Sequence, residues 1–155
     1  MTARNDGPAG PGVPGDELLD VVVVGGSQAG LAIAWHLAKQ NLRSVVLDAA
    51  PELGDTWRCR WDSLRLFTPA QYDGLPGMPF PGPPDTYPGK DAVAGYLKAY
   101  AAAFDLPVRL NSPVTRLSQT DVVPGIPAPY QLTLRVQLLH DVIVHRFIWA
   151  KSIIR

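Results

Sequence analysis

The chain has 155 residues, 46% hydrophobic and 18% charged, which suits one packed domain and falls short of two large cofactor domains. Fourteen basic residues balance fourteen acidic ones, so no global field draws the protein to nucleic acid or to an anionic membrane. No apolar run approaches the roughly 18 residues of a spanning helix, and no secretory signal opens the chain, so a cytoplasmic protein without a membrane span is expected.

Residues 1–17 are rich in glycine and proline with almost nothing to bury, and read as a flexible leader. The folded domain is expected over 18–121. Asp20-Val21-Val22-Val23-Val24 is a continuous β-branched run bounded by glycine, the pattern of a central strand buried on both faces of a parallel sheet. Leu31, Ala34, Trp35 and Ala38 recur at helical spacing, with Asn41 as the stop. Ser44 to Asp48 supplies a second short strand, so the segment is a βαβ unit whose right-handed crossover makes its strands parallel.

Seven prolines between Pro69 and Pro88 exclude a regular helix or central strand there. Tyr72, Phe80 and Tyr87 within the same stretch predict a packed irregular loop laid over a surface or pocket. Val93, Tyr96, Leu97, Tyr100 and Phe104 then mark one helix face, with Asp91 placed near the start to suit the helix dipole. Val108 to Leu110 and Val114 to Leu117 read as short strands. Tyr130, Leu132, Leu134 and Val136 alternate with polar residues, the signal of a half-buried strand.

Between the first strand and the first helix stands Gly25-Gly26-Ser27-Gln28-Ala29-Gly30, a form of G-x-G-x-x-G with serine at the second glycine position. The first glycine permits the tight turn, the small second residue lets backbone amides approach a pyrophosphate, and the third lets helix pack closely on strand. The helix N-terminus then offers its free N–H groups to phosphate. Asp48, at the end of the second strand, sits where an acid accepts hydrogen bonds from a ribose. Together these predict dinucleotide binding without distinguishing FAD from NAD.

The segment from Gly54 to Pro69, GDTWRCRWDSLRLFTP, continues through Tyr72-Asp73-Gly74-Leu75-Pro76-Gly77, Phe80-Pro81 and Tyr87-Pro88-Gly89-Lys90 to about Leu117. This run resembles flavin-containing monooxygenases, and most closely the bacterial flavoprotein branch of FAD-dependent NAD(P)-binding oxidoreductases. The resemblance covers only the N-terminal portion of such proteins. It implies a Rossmann-like FAD-binding α/β fold with a parallel sheet, here truncated. It further implies that Gly25, Gly26, Ser27, Gln28, Ala29 and Gly30 hold the FAD pyrophosphate and that Asp48, usually glutamate, takes the adenosine ribose. Trp57 and the stretch Leu66 to Thr68 are placed beside the flavin by the same resemblance, and Val114 at the adenine. In such enzymes NADPH reduces the flavin from a second dinucleotide domain, and the reduced flavin delivers oxygen to a small-molecule substrate. No second glycine-rich fingerprint follows Gly30 in this sequence, and from about Val122 the resemblance fades, leaving 122–155 as a divergent tail.

Trp57, Trp61, Phe67 and Tyr72 suit either the walls of a flavin site or ordinary core packing. Arg58, Arg60 and Arg65 suit either phosphate or a solvated face. The lone Cys59 lacks a second thiol for dithiol redox chemistry and reads as a small buried filler. The three histidines form no ligand spacing, so no metal is expected. Two other readings remain open: an NAD(P)-dependent dehydrogenase, disfavoured by the lack of a Tyr-x-x-x-Lys pair, and a non-catalytic protein with a vestigial nucleotide fold. A parallel sheet stopped after a few strands also predicts self-association through an exposed edge.

Overall fold

The computed structural model describes residues 19–120, 131–138 and 142–148. The expected leader over 1–17 and most of the tail over 122–155 lie outside the described residues. Strand β1 (Val21–Val24), helix α1 (Gln28–Lys39) and strand β2 (Ser44–Leu47) form the βαβ unit. Its strands run parallel, with Val21 opposite Ser44 and Val24 opposite Leu47. Helix α2 (Asp55–Arg58), a 3-10 turn at Ala70–Tyr72 and helix α3 (Lys90–Ala103) precede β3 (Val108–Arg109), which joins the far side of β2 in parallel. Strands β4 (Val114–Thr120), β5 (Gln131–Leu138) and β6 (Val142–Ile148) then make a separate antiparallel sheet. The alternation seen at Leu132, Leu134 and Val136 belongs to β5, which pairs with both β4 and β6.

Period-2 alternation divides the parallel sheet between two faces. Val23 and Val46 join Leu31 and Ala34 of α1 and Val93, Tyr96, Leu97 and Tyr100 of α3 in one core. Val22, Val45 and Val114 gather round Leu47 on the opposite face, in a much smaller cluster. Here the structure departs from the expectation for β1. Among the described residues it pairs only with β2, and Val24 is 61% exposed. The valine run is therefore buried well on the helix-covered face alone, because no described element packs over Val24.

Both long helices end at a polar residue of positive φ, Asn41 being the stop expected for α1. Asn41 takes φ of 55°, and the amide of Leu42 reaches back to the Leu37 carbonyl at 3.1 Å. Asp105 takes φ of 47° after α3, with the Leu106 amide on the Ala101 carbonyl at 3.0 Å. Each is a six-to-one closure that satisfies the last carbonyls of its helix. Asp91 lies in the first turn of α3, as expected.

Candidate cofactor site

The glycine motif forms the turn between β1 and α1. Gly25 adopts φ of +100°, open to glycine at no steric cost, and its amide donates to the Leu47 carbonyl at 2.8 Å. A Cβ on Gly30 would stand 1.9 Å from the Gly25 carbonyl oxygen and 3.3 Å from Val23 Cγ1, so helix, turn and strand meet only because that atom is missing. A Cβ on Gly26 would approach Asp48 Oδ2 to 2.9 Å. Ser27 occupies the N-cap position but makes no capping bond, and the first turn of α1 contains no acid. Its hydroxyl donates to Gln28 Oε1 instead, while Ala29 is exposed. The positive end of α1 thus keeps its N–H groups uncapped by side chains, the arrangement that receives an anion.

Asp48 follows β2 directly and faces this turn. Its Oδ2 accepts from the Gly26 amide at 2.5 Å and its Oδ1 from the Ala50 amide at 2.8 Å. A carboxylate offers about four acceptor positions, so capacity for further donors is left. The Asp48 carbonyl accepts from the Ser112 amide at 2.8 Å, which brings the approach to β4 alongside. Val114, half-buried against Leu47, consequently lies near the Asp48 end of the sheet.

A cleft of about 270 Å³ opens beside the turn, with Gln28 and Trp57 in one wall and Tyr72, Asp73, Phe80 and Tyr96 among the other lining residues. Short helix α2 carries Trp57 into it and is fixed at several points. Gly54, with φ of +89°, has the Ala94 backbone where a Cβ would come to 2.7 Å, so α2 begins in direct contact with α3. Lys90 Nζ donates to the carbonyls of Arg58 and Arg60 at 3.1 and 3.0 Å and to Asp62 Oδ1 at 2.6 Å. The hydrogen bond from Lys90, more than its charge, lowers the Asp62 carboxyl from its ordinary value, and Asp62 in turn raises Lys90. Trp57 Nε1 donates to Gln28 Oε1 at 3.2 Å, joining α2 to the first turn of α1.

The opposite wall hangs on two tyrosines one helical turn apart. Tyr96 Oη accepts from the Leu75 amide at 2.6 Å and donates to the Met78 carbonyl at 2.7 Å. Tyr100 Oη donates to the Pro76 carbonyl at 2.7 Å. These bonds strap the proline-rich loop onto α3, and Phe80 tucks against Tyr96 with ring centroids 4.7 Å apart. Burial pushes both phenols up, Tyr100 to about 12, where the neighbouring Tyr96 adds to the effect.

Of the aromatic candidates, Trp57 and Tyr72 line the cleft, while Trp61 and Phe67 are 62% and 96% exposed and belong to no core. Of the loop's three aromatic residues only Phe80 is buried, while Tyr72 and Tyr87 are exposed, Tyr72 at the edge of the cleft; α3 holds the loop down through its backbone rather than through these rings. Cys59 is exposed, correcting its reading as buried filler: it follows the last residue of α2, on the solvent side. Arg58 pairs with Asp55 at 2.7 Å and bonds the Leu53 carbonyl, and Arg65 bonds the Tyr87 carbonyl at 3.1 Å; both brace loops. Thr68 is exposed and donates its hydroxyl to Asp73 Oδ1. Sequence reasoning passed over Asp73 and over Tyr96 as a strap; the i, i+4 spacing of Tyr96 and Tyr100 on a buried face was the available signal, since buried phenols need partners. Among the described residues no group of three or more His, Cys, Asp or Glu could hold a metal ion, and no helix is long and apolar enough to cross a membrane.

The chain is similar to known proteins in sequence and in fold. Residues 22–124 match the pyridine nucleotide-disulphide oxidoreductase family. A CzcO-like uncharacterised oxidoreductase of Geobacillus kaustophilus is 44% identical over 106 residues, covering 68% of this chain and 30% of that protein. The indole-3-pyruvate monooxygenase YUCCA1 of Oryza sativa subsp. japonica is 40% identical over 94 residues, covering 60% of this chain and 23% of its own. Among solved structures, the flavin-containing monooxygenase from Stenotrophomonas maltophilia superposes with a TM-score of 0.68 at 32% identity, over 83% of this chain and 36% of that one. The chain spans less than a third of the length of the curated relatives it matches.

Proposed function

Because the chain belongs to the pyridine nucleotide-disulphide oxidoreductase family, we propose that its parallel-sheet domain is the FAD-binding part of a flavin-dependent oxidoreductase of the monooxygenase kind. The observation that carries this reading is the junction of two features. A glycine cradle that a single Cβ at Gly26 or Gly30 would fill is joined through Gln28 and Trp57 to an aromatic cleft. A pyrophosphate fits the first and a broad, flat, largely apolar ring fits the second. Gly25 to Gly30 hold the pyrophosphate, Asp48 takes the adenosine ribose, Val114 meets the adenine, and Trp57 and Thr68 stand beside the flavin.

A bound flavin would accept a hydride from NADPH and pass electrons to oxygen, the chemistry belonging to the cofactor itself. The protein's own residues do the rest. The uncapped end of α1 neutralises phosphate charge, Asp48 orients the ribose while anchored to the Gly26 amide, and Trp57, Phe80 and Tyr96 exclude water from the ring. NADPH and a small-molecule substrate are the partners this reading entails in the longer relatives, and a cytoplasmic setting goes with them. The outer edge of β1, unpaired among the described residues, adds self-association to the proposal.

Titration of the purified chain with FAD and, separately, NADPH tests the reading. Saturable FAD binding with quenched flavin fluorescence and no NADPH oxidation is the expected result. A protein that takes up neither cofactor would instead be a nucleotide fold without the function.

A further inference from the structure

Asp73 stands in the cleft wall, yet its Oδ2 is buried with no hydrogen-bond partner. A buried acceptor left without a donor forfeits its hydration with nothing in return, the more so when the group is charged. The other oxygen accepts the hydroxyl proton of Thr68. A threonine hydroxyl has one proton to give, so with that proton spent, Thr68 and Asp73 together present lone pairs and no donor. Neighbouring donors do not relieve them: the Trp57 indole N–H is committed to Gln28 and the Tyr96 hydroxyl to the Met78 carbonyl.

We propose that Thr68 and Asp73 form an acceptor edge that selects a flat ring carrying an N–H donor, which on the flavin reading above, on which this inference rests, is the imide N–H of the isoalloxazine. The final torsion of an aspartate is soft, so the carboxylate turns its free oxygen to a ligand without moving the loop. Apolar walls give such a cleft affinity for any flat ring, and the unmatched carboxylate gives it discrimination. A site built to receive a donor rejects an analogue that lacks one far more strongly than an apolar pocket rejects a change of shape.

The test is binding of FAD against N3-methyl-FAD, whose imide proton is replaced by a methyl group, followed by flavin fluorescence and absorbance. The unmodified protein is expected to bind the methylated cofactor at least about tenfold more weakly, as befits a lost hydrogen bond to a charged acceptor. In D73A, which removes both side-chain oxygens and so the acceptor itself, the two affinities are expected to converge. Discrimination that persists unchanged in D73A reflects methyl bulk and overturns the assignment. Equal affinities in the unmodified protein overturn the acceptor edge while leaving FAD binding intact; failure to bind either cofactor overturns the flavin reading together with it.

Discussion

Trp57 and Gln28, 29 positions apart in sequence, meet through an indole N–H that donates to the amide oxygen at 3.2 Å. One bond thus couples the helix that opens on the phosphate turn to the helix that walls the cleft. Replacing Trp57 with Phe keeps a ring and removes the donor. FAD affinity is expected to fall about fivefold, the value of roughly 1 kcal/mol for one net hydrogen bond. Q28A should cost a similar amount, and a double-mutant cycle in the titration should show the two losses overlapping rather than adding. Strict additivity would mean the contact couples nothing.

Gly30 tolerates no side chain, because its Cβ would stand 1.9 Å from the Gly25 carbonyl oxygen. G30A is expected to lower stability by about 1–3 kcal/mol, the usual range for overpacking, and to abolish FAD binding by moving α1 off the turn. Urea denaturation and cofactor titration measure the two effects. G95A makes the contrasting control, since a Cβ there meets nothing within 4 Å; it should gain helix propensity and leave binding alone.

The buried Tyr100 phenol should make the domain sensitive to alkali. Burial, with Tyr96 beside it, raises the group from 10.0 to about 12, so the fold favours the protonated form. Its contribution is complete below pH 10, where the unfolded phenol also holds its proton, and is lost as pH rises from 10 toward 12. That interval corresponds to about 3 kcal/mol. In Y100F the alkaline fall in urea midpoint should be visibly shallower, while stability at neutral pH drops by about 1 kcal/mol for the lost bond to Pro76. An unaltered alkaline slope would assign the effect elsewhere.

Lys90 contributes more through two carbonyls than through its ion pair. Its side chain is only 14% exposed, whereas that of Asp62 is fully exposed, and exposed pairs contribute little. K90M is expected to speed amide exchange across residues 54–62 on the order of tenfold by freeing the end of α2, and D62N to leave it nearly unchanged. Hydrogen exchange read by mass spectrometry separates these outcomes; equal effects would credit the ion pair instead.

The exposed valine at the end of β1 is a handle on association. Val24 is 61% exposed on a strand with one open edge among the described residues. V24K, which sets a charge on that edge, should shift the chain toward monomer in light scattering at high concentration. A parent chain already monodisperse and monomeric there would remove self-association from the proposal.

Much of the scaffold was legible because its signals are local. The Val21 to Val24 run, the glycine turn, the periodicity of α1 and the acid after β2 lie within one stretch of sequence, and backbone sterics tie each residue type to its place. The faces of β1 were less legible, since how completely a valine is covered depends on elements remote in sequence. The cleft was least legible. Trp57, Asp73 and Tyr96 come from a short helix, an irregular loop and a long helix, and what brings them together is backbone carbonyls held by Lys90, Tyr96 and Tyr100. Such bonds leave no periodic trace. The exposure of Cys59 was missed for a related reason: a small apolar residue at the end of a four-residue helix has no amphipathic pattern to declare its side.

Strand β3 has only two residues, and it reaches β2 after the chain has traversed 48–107. The order of assembly follows from that. β1 and β2 need only the closure of α1 between them, whereas the pairing of β2 with β3 must first overcome the entropy of a far longer loop. Everything that walls the cleft lies in that loop or at the turn it folds onto. In a refolding experiment helical signal should accordingly recover before the cleft does, and the cofactor's rate of capture would then time the arrival of a dipeptide strand.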